Sequence, residues 1–228
     1  MATALKKNRY LRNVKEKPQP MIKNIIFDFG GVLTTIDTNE ALRRFSALGI
    51  ADPTEYINSY CQHGPFFALE NGDITADEFC KELGKICGRE ISYEQAKHAW
   101  CGFIVNVQTE LLQYLQQLRP QYTLGVLSNT NPFIQSWART PQFTQEGKSL
   151  DDYFDRLFLS YLMKCSKPGE AIYRKMLLDG NMRAEETLFV DDSDKNIEAA
   201  RKLGIKTLKV MNGEDWRPAL EKALAREP

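Results

Sequence analysis

The chain has 228 residues, 43% of them hydrophobic, enough to bury the core of one medium domain or of a core domain with a smaller satellite. Lysine plus arginine balance aspartate plus glutamate at 30 each, so no global charge points to nucleic acid or an anionic membrane, and any anionic ligand must be held by a local site. No apolar run approaches the roughly 18 residues of a membrane span, and the five cysteines (Cys61, Cys80, Cys87, Cys101, Cys165), odd in number and without a CxxC pair, read as reduced core residues of a cytoplasmic protein.

Residues 1–20 are basic and polar, end in Pro-Gln-Pro, and read as a disordered solvated tail; the first compact pattern begins at Met21. From Asn24 the run NIIFD stops at Asp28 and meets Gly30 and Gly31, which predicts a buried strand entering a glycine loop. The stretch 37–107 contains no convincing strand and reads as successive helices. Thr75 with Glu78 and Ser92 with Gln95 have capping-box spacing, Asn71-Gly72 marks a turn, and Phe79, Leu83 and Ile86 share one helix face. Phe66, Phe67, Tyr93 and Trp100 read first as the core of this insertion, although Phe66 and Phe67 follow a His-Gly-Pro turn that could face the site; the insertion would sit over the first strand's loop as a lid. Four more apolar runs follow: TLGVLSN from Thr123, RLFLS from Arg156, TLFVDD from Thr187 and IKTLKV from Ile205. Helical patterns lie between the later ones, AIYRKMLLDG after Pro168 and KNIEAARKLG after Ser193, the latter closed by Gly204. This alternation predicts an α/β fold: a doubly wound parallel sheet over residues 21–36 and 108–228, with a small all-helical cap over 37–107.

In such a sheet, ligands bind at the carboxyl ends of the strands. The polar residues at those ends are Asp28 and Gly30, then Ser128 and Asn129, then Asp191 and Asp192, with Lys167 in the loop before the helix that leads to the fourth run. They offer a carboxylate nucleophile, further carboxylates for a hard cation, a hydroxyl, an amide and one ammonium. An aspartate attacking a phosphomonoester meets charge repulsion unless magnesium and a lysine neutralise the phosphoryl oxygens. Magnesium keeps several waters, so Asp28 and Asp192 with one backbone carbonyl suffice to hold it.

FDFGGVL, LSNTN, SKP and FVDDSDKNIEAARKLGI resemble, in order, the four motifs of the haloacid dehalogenase superfamily. Ser128 lies 100 residues after Asp28, Lys167 39 further on and Asp191 another 24, the distribution of members with a helical cap after the first motif. The resemblance implies Asp28 as nucleophile, and a phosphate site of Ser128 and Lys167 with Phe29, Gly30 and Asn129. It implies a magnesium site of Asp28, Asp192 and the Gly30 carbonyl, with Asp191 as outer neighbour and Asn196 orienting metal waters. The expected activity is hydrolysis of a small phosphorylated metabolite, a sugar phosphate, as in bacterial sugar-phosphatase-like members that include those acting on α-D-glucose 1-phosphate.

One position departs from the pattern. Two residues after the nucleophile, where phosphatases of this superfamily carry an acid/base aspartate, stands Gly30. A positioned general acid is worth about 10²- to 10⁴-fold in rate. Its loss argues against a mutase and leaves the proton to a good leaving group, a substrate group, water or a cap residue, for which Glu70, Asp73 and His63 are candidates. The alternative is a member that binds a phosphorylated metabolite without turning it over.

Overall fold

The computed structural model describes residues 21–57 and 62–225; the expected N-terminal tail and Cys61 lie outside them. In chain order the elements are β1 (Asn24–Phe27), β2 (Thr34–Ile36), α1 (Thr38–Leu48), α2 (Gly64–Asn71), α3 (Ala76–Cys87), α4 (Tyr93–Trp100), β3 (Ile104–Val107), α5 (Thr109–Leu118) and β4 (Thr123–Ser128). They continue with α6 (Pro132–Ala138), β5 (Arg156–Leu159), α7 (Ser160–Met163), α8 (Glu170–Gly180), β6 (Thr187–Asp191), α9 (Asp194–Lys202), β7 (Lys206–Lys209) and α10 (Arg217–Ala225).

The apolar runs form strands because both of their faces are covered. Ile25 and Phe27 pack with Leu124, Val126, Leu188 and Val190 on one face, where Leu112, Leu115 and Trp216 also lie. Ile26 points the other way, joining Leu127, Phe189 and the helical residues Ile172, Tyr173, Met176 and Ala200. Period-two alternation thus sends apolar side chains into two cores, and no face is left polar. The sheet order is β5-β4-β1-β6-β7, with every pairing parallel. The chain runs outward from β1 through β4 to β5, then returns to β6 and β7. The reversal falls between β1 and β6, and the crevice outside their carboxyl ends is where such sheets take ligands.

The cap differs from its expected form in one respect. Ile104–Val107, inside the stretch read as strandless, is β3, which pairs antiparallel with β2 through Thr34↔Val107 and Ile36↔Ile104. Each strand is only three or four residues long and partly exposed, too brief to stamp a pattern on the sequence, and their pairing is non-local. Helices α1 to α4 lie between these two strands in the chain. Both capping boxes form: Glu78 N–H donates to Thr75 Oγ1 at 3.2 Å and Gln95 N–H to Ser92 Oγ at 3.3 Å.

The cap core is aromatic. Phe66 meets Phe45, Phe79 and Trp100 with ring centroids 4.9, 5.1 and 5.4 Å apart. Phe133 of α6 continues this stack into the sheet domain, 5.7 Å from Phe79 and 4.8 Å from Tyr93. At the end of α2, Gly72 has φ +76°, and a Cβ there would stand 2.0 Å from the Tyr161 carbonyl oxygen of α7. Only glycine allows both the left-handed turn and this close approach of cap to core.

Candidate active site

At the carboxyl ends of β1 and β6, carboxylate oxygens of Asp28, Asp191 and Asp192 lie within 4.8 Å of one another. The strand geometry places Asp28 directly after β1 and Asp191 as the last residue of adjacent β6, so neighbouring parallel strands deliver two acids to one point. Lys167 stands between them, its ammonium 2.8 Å from Asp28 Oδ1 and 2.8 Å from Asp191 Oδ2. All four side chains are mostly or fully enclosed, and Asp191 is wholly buried.

The electrostatics follow from this crowding. Burial, Asp191 and Asp192 push Asp28 up to about 8 against the pull of Lys167. Burial likewise raises Asp192, with Asp191 adding to it. Burial works to lower Lys167, but the charges and hydrogen bonds of Asp191 and Asp28 outweigh it and hold the ammonium above its ordinary value. Three carboxylates against one ammonium leave an excess of negative charge, which fits a divalent cation bound by oxygen ligands. Gly31 makes the arrangement possible. With φ +83°, it passes so close to Asp192 that a Cβ would lie 2.3 Å from Asp192 Oδ2.

The acids are not equivalent. Asp191 receives Lys167 Nζ at 2.8 Å, Ser193 N–H at 2.8 Å and both oxygens accept from Asn196 Nδ2 at 3.1 Å. It is committed to orienting neighbours. Asn196, expected to orient metal waters, spends its amide on Asp191. Asp28 Oδ1 accepts the Phe29 N–H at 2.6 Å as well as Lys167, which fixes the rotation of the carboxylate.

The remaining expected residues line the same cavity, of about 180 Å³, with roles the fold sharpens. Phe29 contributes backbone only, because its ring is buried against Phe143 at 6.0 Å. Gly30 and Ser128 face the cavity. Asn129 also lines the cavity, with its side-chain amide engaged by Lys167: Nδ2 donates to the Lys167 carbonyl at 2.9 Å and Oδ1 accepts the Lys167 N–H at 2.8 Å. Clamped at both ends, it positions the lysine.

The roof comes from the cap and the β2–β3 ribbon: Ile36, Thr38, Gln62, Phe67, Glu70, Trp100, Phe103 and Ile104. Phe67, expected in the cap core, is 44% exposed and lines the cavity, whereas its neighbour Phe66 is buried. Consecutive helical residues point about 100° apart, so one inward phenylalanine turns the next outward. Of the three cap acid/base candidates only Glu70 lines the cavity; Asp73 instead accepts hydrogen bonds from Asn71 Nδ2 at 3.0 and 3.1 Å. Sequence reasoning missed Gln62 and the indole N–H of Trp100. Gln62 Oε1 and Trp100 Nε1 are buried without a hydrogen-bond partner among the described residues, a cost that a ligand's hydroxyls can remove.

Residues 25–210 match the family model of haloacid dehalogenase-like hydrolases. The D-ribitol-5-phosphate phosphatase of Bacteroides thetaiotaomicron is 48% identical over 200 residues, which span 88% of this chain and 97% of that protein. A HAD-like family hydrolase from Porphyromonas gingivalis superposes with a TM-score of 0.86 at 41% identity, covering 91% of this chain and 100% of that one. A HAD family enzyme from Bacteroides thetaiotaomicron, solved as an aspartate-to-alanine mutant with magnesium and inorganic phosphate, superposes with a TM-score of 0.82 at 34% identity, covering 87% and 98%.

Proposed function

The chain belongs to the haloacid dehalogenase-like hydrolase family, and from that premise we propose that it is a magnesium-dependent phosphomonoesterase acting on a small sugar or polyol phosphate through an aspartyl-phosphate on Asp28. The observation that carries this reading is the cluster of Asp28, Asp191 and Asp192 around Lys167 at the floor of a small cavity. Asp28 and Asp192, with the Gly30 carbonyl, would hold the magnesium. When bound, the cation supplies positive charge to the phosphoryl oxygens and removes the repulsion between phosphate dianion and carboxylate.

The chain's own groups do the rest. Lys167, fixed by Asn129 and by two carboxylates, presents an ammonium to a phosphoryl oxygen. Ser128, buried at the end of β4, supplies a hydroxyl to the same group. Asp28 attacks phosphorus in line with the ester oxygen, and the bond to that oxygen breaks. Two buried, unpartnered atoms of cavity-lining residues, the donor Trp100 Nε1 and the acceptor Gln62 Oε1, would suit substrate hydroxyls. The 48% identical relative acts on D-ribitol 5-phosphate, which makes an acyclic polyol phosphate the first substrate to test.

Among the described residues no helix is long and apolar enough to cross a membrane. Cys80, Cys87, Cys101 and Cys165 are free thiols, which supports a reducing cytoplasmic setting. The decisive assay is phosphate release from D-ribitol 5-phosphate and a panel of sugar phosphates, with magnesium and after chelation. Turnover that requires both magnesium and Asp28 is expected. A protein inactive on every phosphomonoester, or active after chelation, overturns the reading.

A further inference from the structure

Breaking the bond from phosphorus to an alkyl oxygen releases an alkoxide, which must be protonated as it leaves. The floor of the cavity has no group to spare for this. Asp28 is the nucleophile, Asp192 is placed to hold the cation, and Lys167 is fixed between two carboxylates. Gly30 carries no side chain. The cavity's other carboxyl group hangs from the roof: Glu70, in the last turn of α2.

Its position is set by the core rather than by the cap alone. Buried Ser160 Oγ lies 2.6 Å from the Glu70 carbonyl oxygen and accepts the Thr130 N–H at 2.9 Å, joining α2 to the loop that follows Ser128. One residue on, Asn71 Oδ1 accepts Ser166 Oγ at 3.1 Å, beside Lys167. One further, Gly72 permits the close passage over Tyr161. Three consecutive cap residues are thus held against the core, Glu70 and Gly72 by α7 and Asn71 by the loop that carries Lys167. Such anchoring fixes the backbone that carries Glu70, a residue lining the cavity opposite Asp28 and Lys167.

We propose that Glu70 is the general acid and base of this enzyme, a reading that rests on the phosphatase assignment above. In the first step, an Asp28 oxygen bonds to phosphorus, the electron pair of the broken ester bond goes to the alkyl oxygen, and that oxygen takes the Glu70 proton. Alcohol, aspartyl-phosphate and Glu70 carboxylate result. In the second, the Glu70 carboxylate takes a proton from water as the water oxygen bonds to phosphorus. The pair of the acyl-phosphate bond returns to Asp28, inorganic phosphate leaves, and Glu70 is again protonated.

The protonation state agrees. Burial of its carboxyl pushes Glu70 up to about 7, with the Asn131 side-chain amide pulling the other way. The titratable groups around it are His63 and Asp73 at the ends of α2, Tyr56 and Tyr161 on packed elements, and Asp28, Lys167 and Asp192 across the cavity. Poised near neutral pH, the group can give a proton in one step and take one in the next.

The test compares wild type, Glu70→Gln and Asp28→Asn, each with magnesium, on D-ribitol 5-phosphate and on p-nitrophenyl phosphate, whose leaving group needs no proton. For Glu70→Gln, kcat/KM on the polyol ester should fall about 10²- to 10⁴-fold. On the aryl ester a pre-steady-state burst of p-nitrophenol should survive while steady turnover slows, since only the second step then lacks its base. The wild-type basic limb near pH 7 on the polyol ester should vanish in the variant. An equal loss on both esters without a burst, an unchanged basic limb, or wild-type activity on the polyol ester would each overturn the role of Glu70. If those appear while Asp28→Asn is inactive, the phosphatase reading stands without Glu70; if Asp28→Asn retains full turnover, both fall.

Discussion

The floor and the roof of the cavity are built on opposite principles. On the floor the lysine and the two acids beside it are partnered: Lys167 joins Asp28 to Asp191, Asn196 and Ser193 hold Asp191, and Asn129 holds Lys167. On the roof, two buried polar atoms have no partner among the described residues, and burial raises the Glu70 carboxyl against the pull of the Asn131 amide. The difference teaches where each part of the chemistry resides. A preorganised floor stabilises a phosphoryl group that is the same in every substrate. An unsatisfied roof leaves its hydrogen-bonding capacity to whatever alcohol the phosphate carries.

This contrast can be broken in graded steps. Asp28→Asn should lower kcat by more than about 10⁴-fold, measured as phosphate release, with the fold intact by circular dichroism. Lys167→Met leaves two buried carboxylates without their cation and should destabilise the metal-free protein by about 3–5 kcal/mol in urea unfolding, a loss that magnesium narrows. Gly31→Ala pushes a methyl group into Asp192 and should weaken magnesium binding about 10- to 100-fold in a titration of activity against the metal. Trp100→Phe removes one roof donor and should raise KM for a polyol phosphate by about 5-fold, as expected of one hydrogen bond, while sparing p-nitrophenyl phosphate.

The smallest expected effect is on stability. Glu70 has its pKa raised from the ordinary 4.5 to about 7, so the folded state holds a proton that the unfolded state has released across that window. Its contribution is therefore fully present below about pH 4.5 and lost as pH rises through 7. Glu70→Gln has nothing to lose there. Its Tm relative to wild type should climb between pH 5 and pH 8, by about 2 °C or more in a thermal melt. A parallel pH dependence of the two proteins would place the Glu70 carboxyl in water and remove the contrast between roof and floor.

Much of the floor was readable in the chain itself. The central strands β1, β4 and β6 are largely apolar runs, and Asp28, Asp191 and Asp192 stand where two of those runs stop. The roof was far less so. Phe66 and Phe67 look alike in sequence, yet one is core and the other lines the cavity. Glu70, Asp73 and His63 were equal candidates until the latch to Ser160 and Ser166 singled out Glu70. The β2–β3 ribbon left no pattern because its strands are short and pair across the whole cap. Gly31 looked like a turn glycine, but its tightest constraint is a carboxylate at the far end of the chain.

By itself, then, the sequence determined the sheet, the helical nature of the cap and the acids at the strand ends. Those features follow from local periodicity and from where an apolar run must meet water. Only the tertiary structure decided that Asp191 and Asn129 hydrogen-bond Lys167, that Trp100 and Gln62 keep polar atoms unspent, and that Glu70 lines the cavity. Each of these depends on which hydrogen-bond partner lies within reach, a distance between residues remote in the chain that no local pattern encodes.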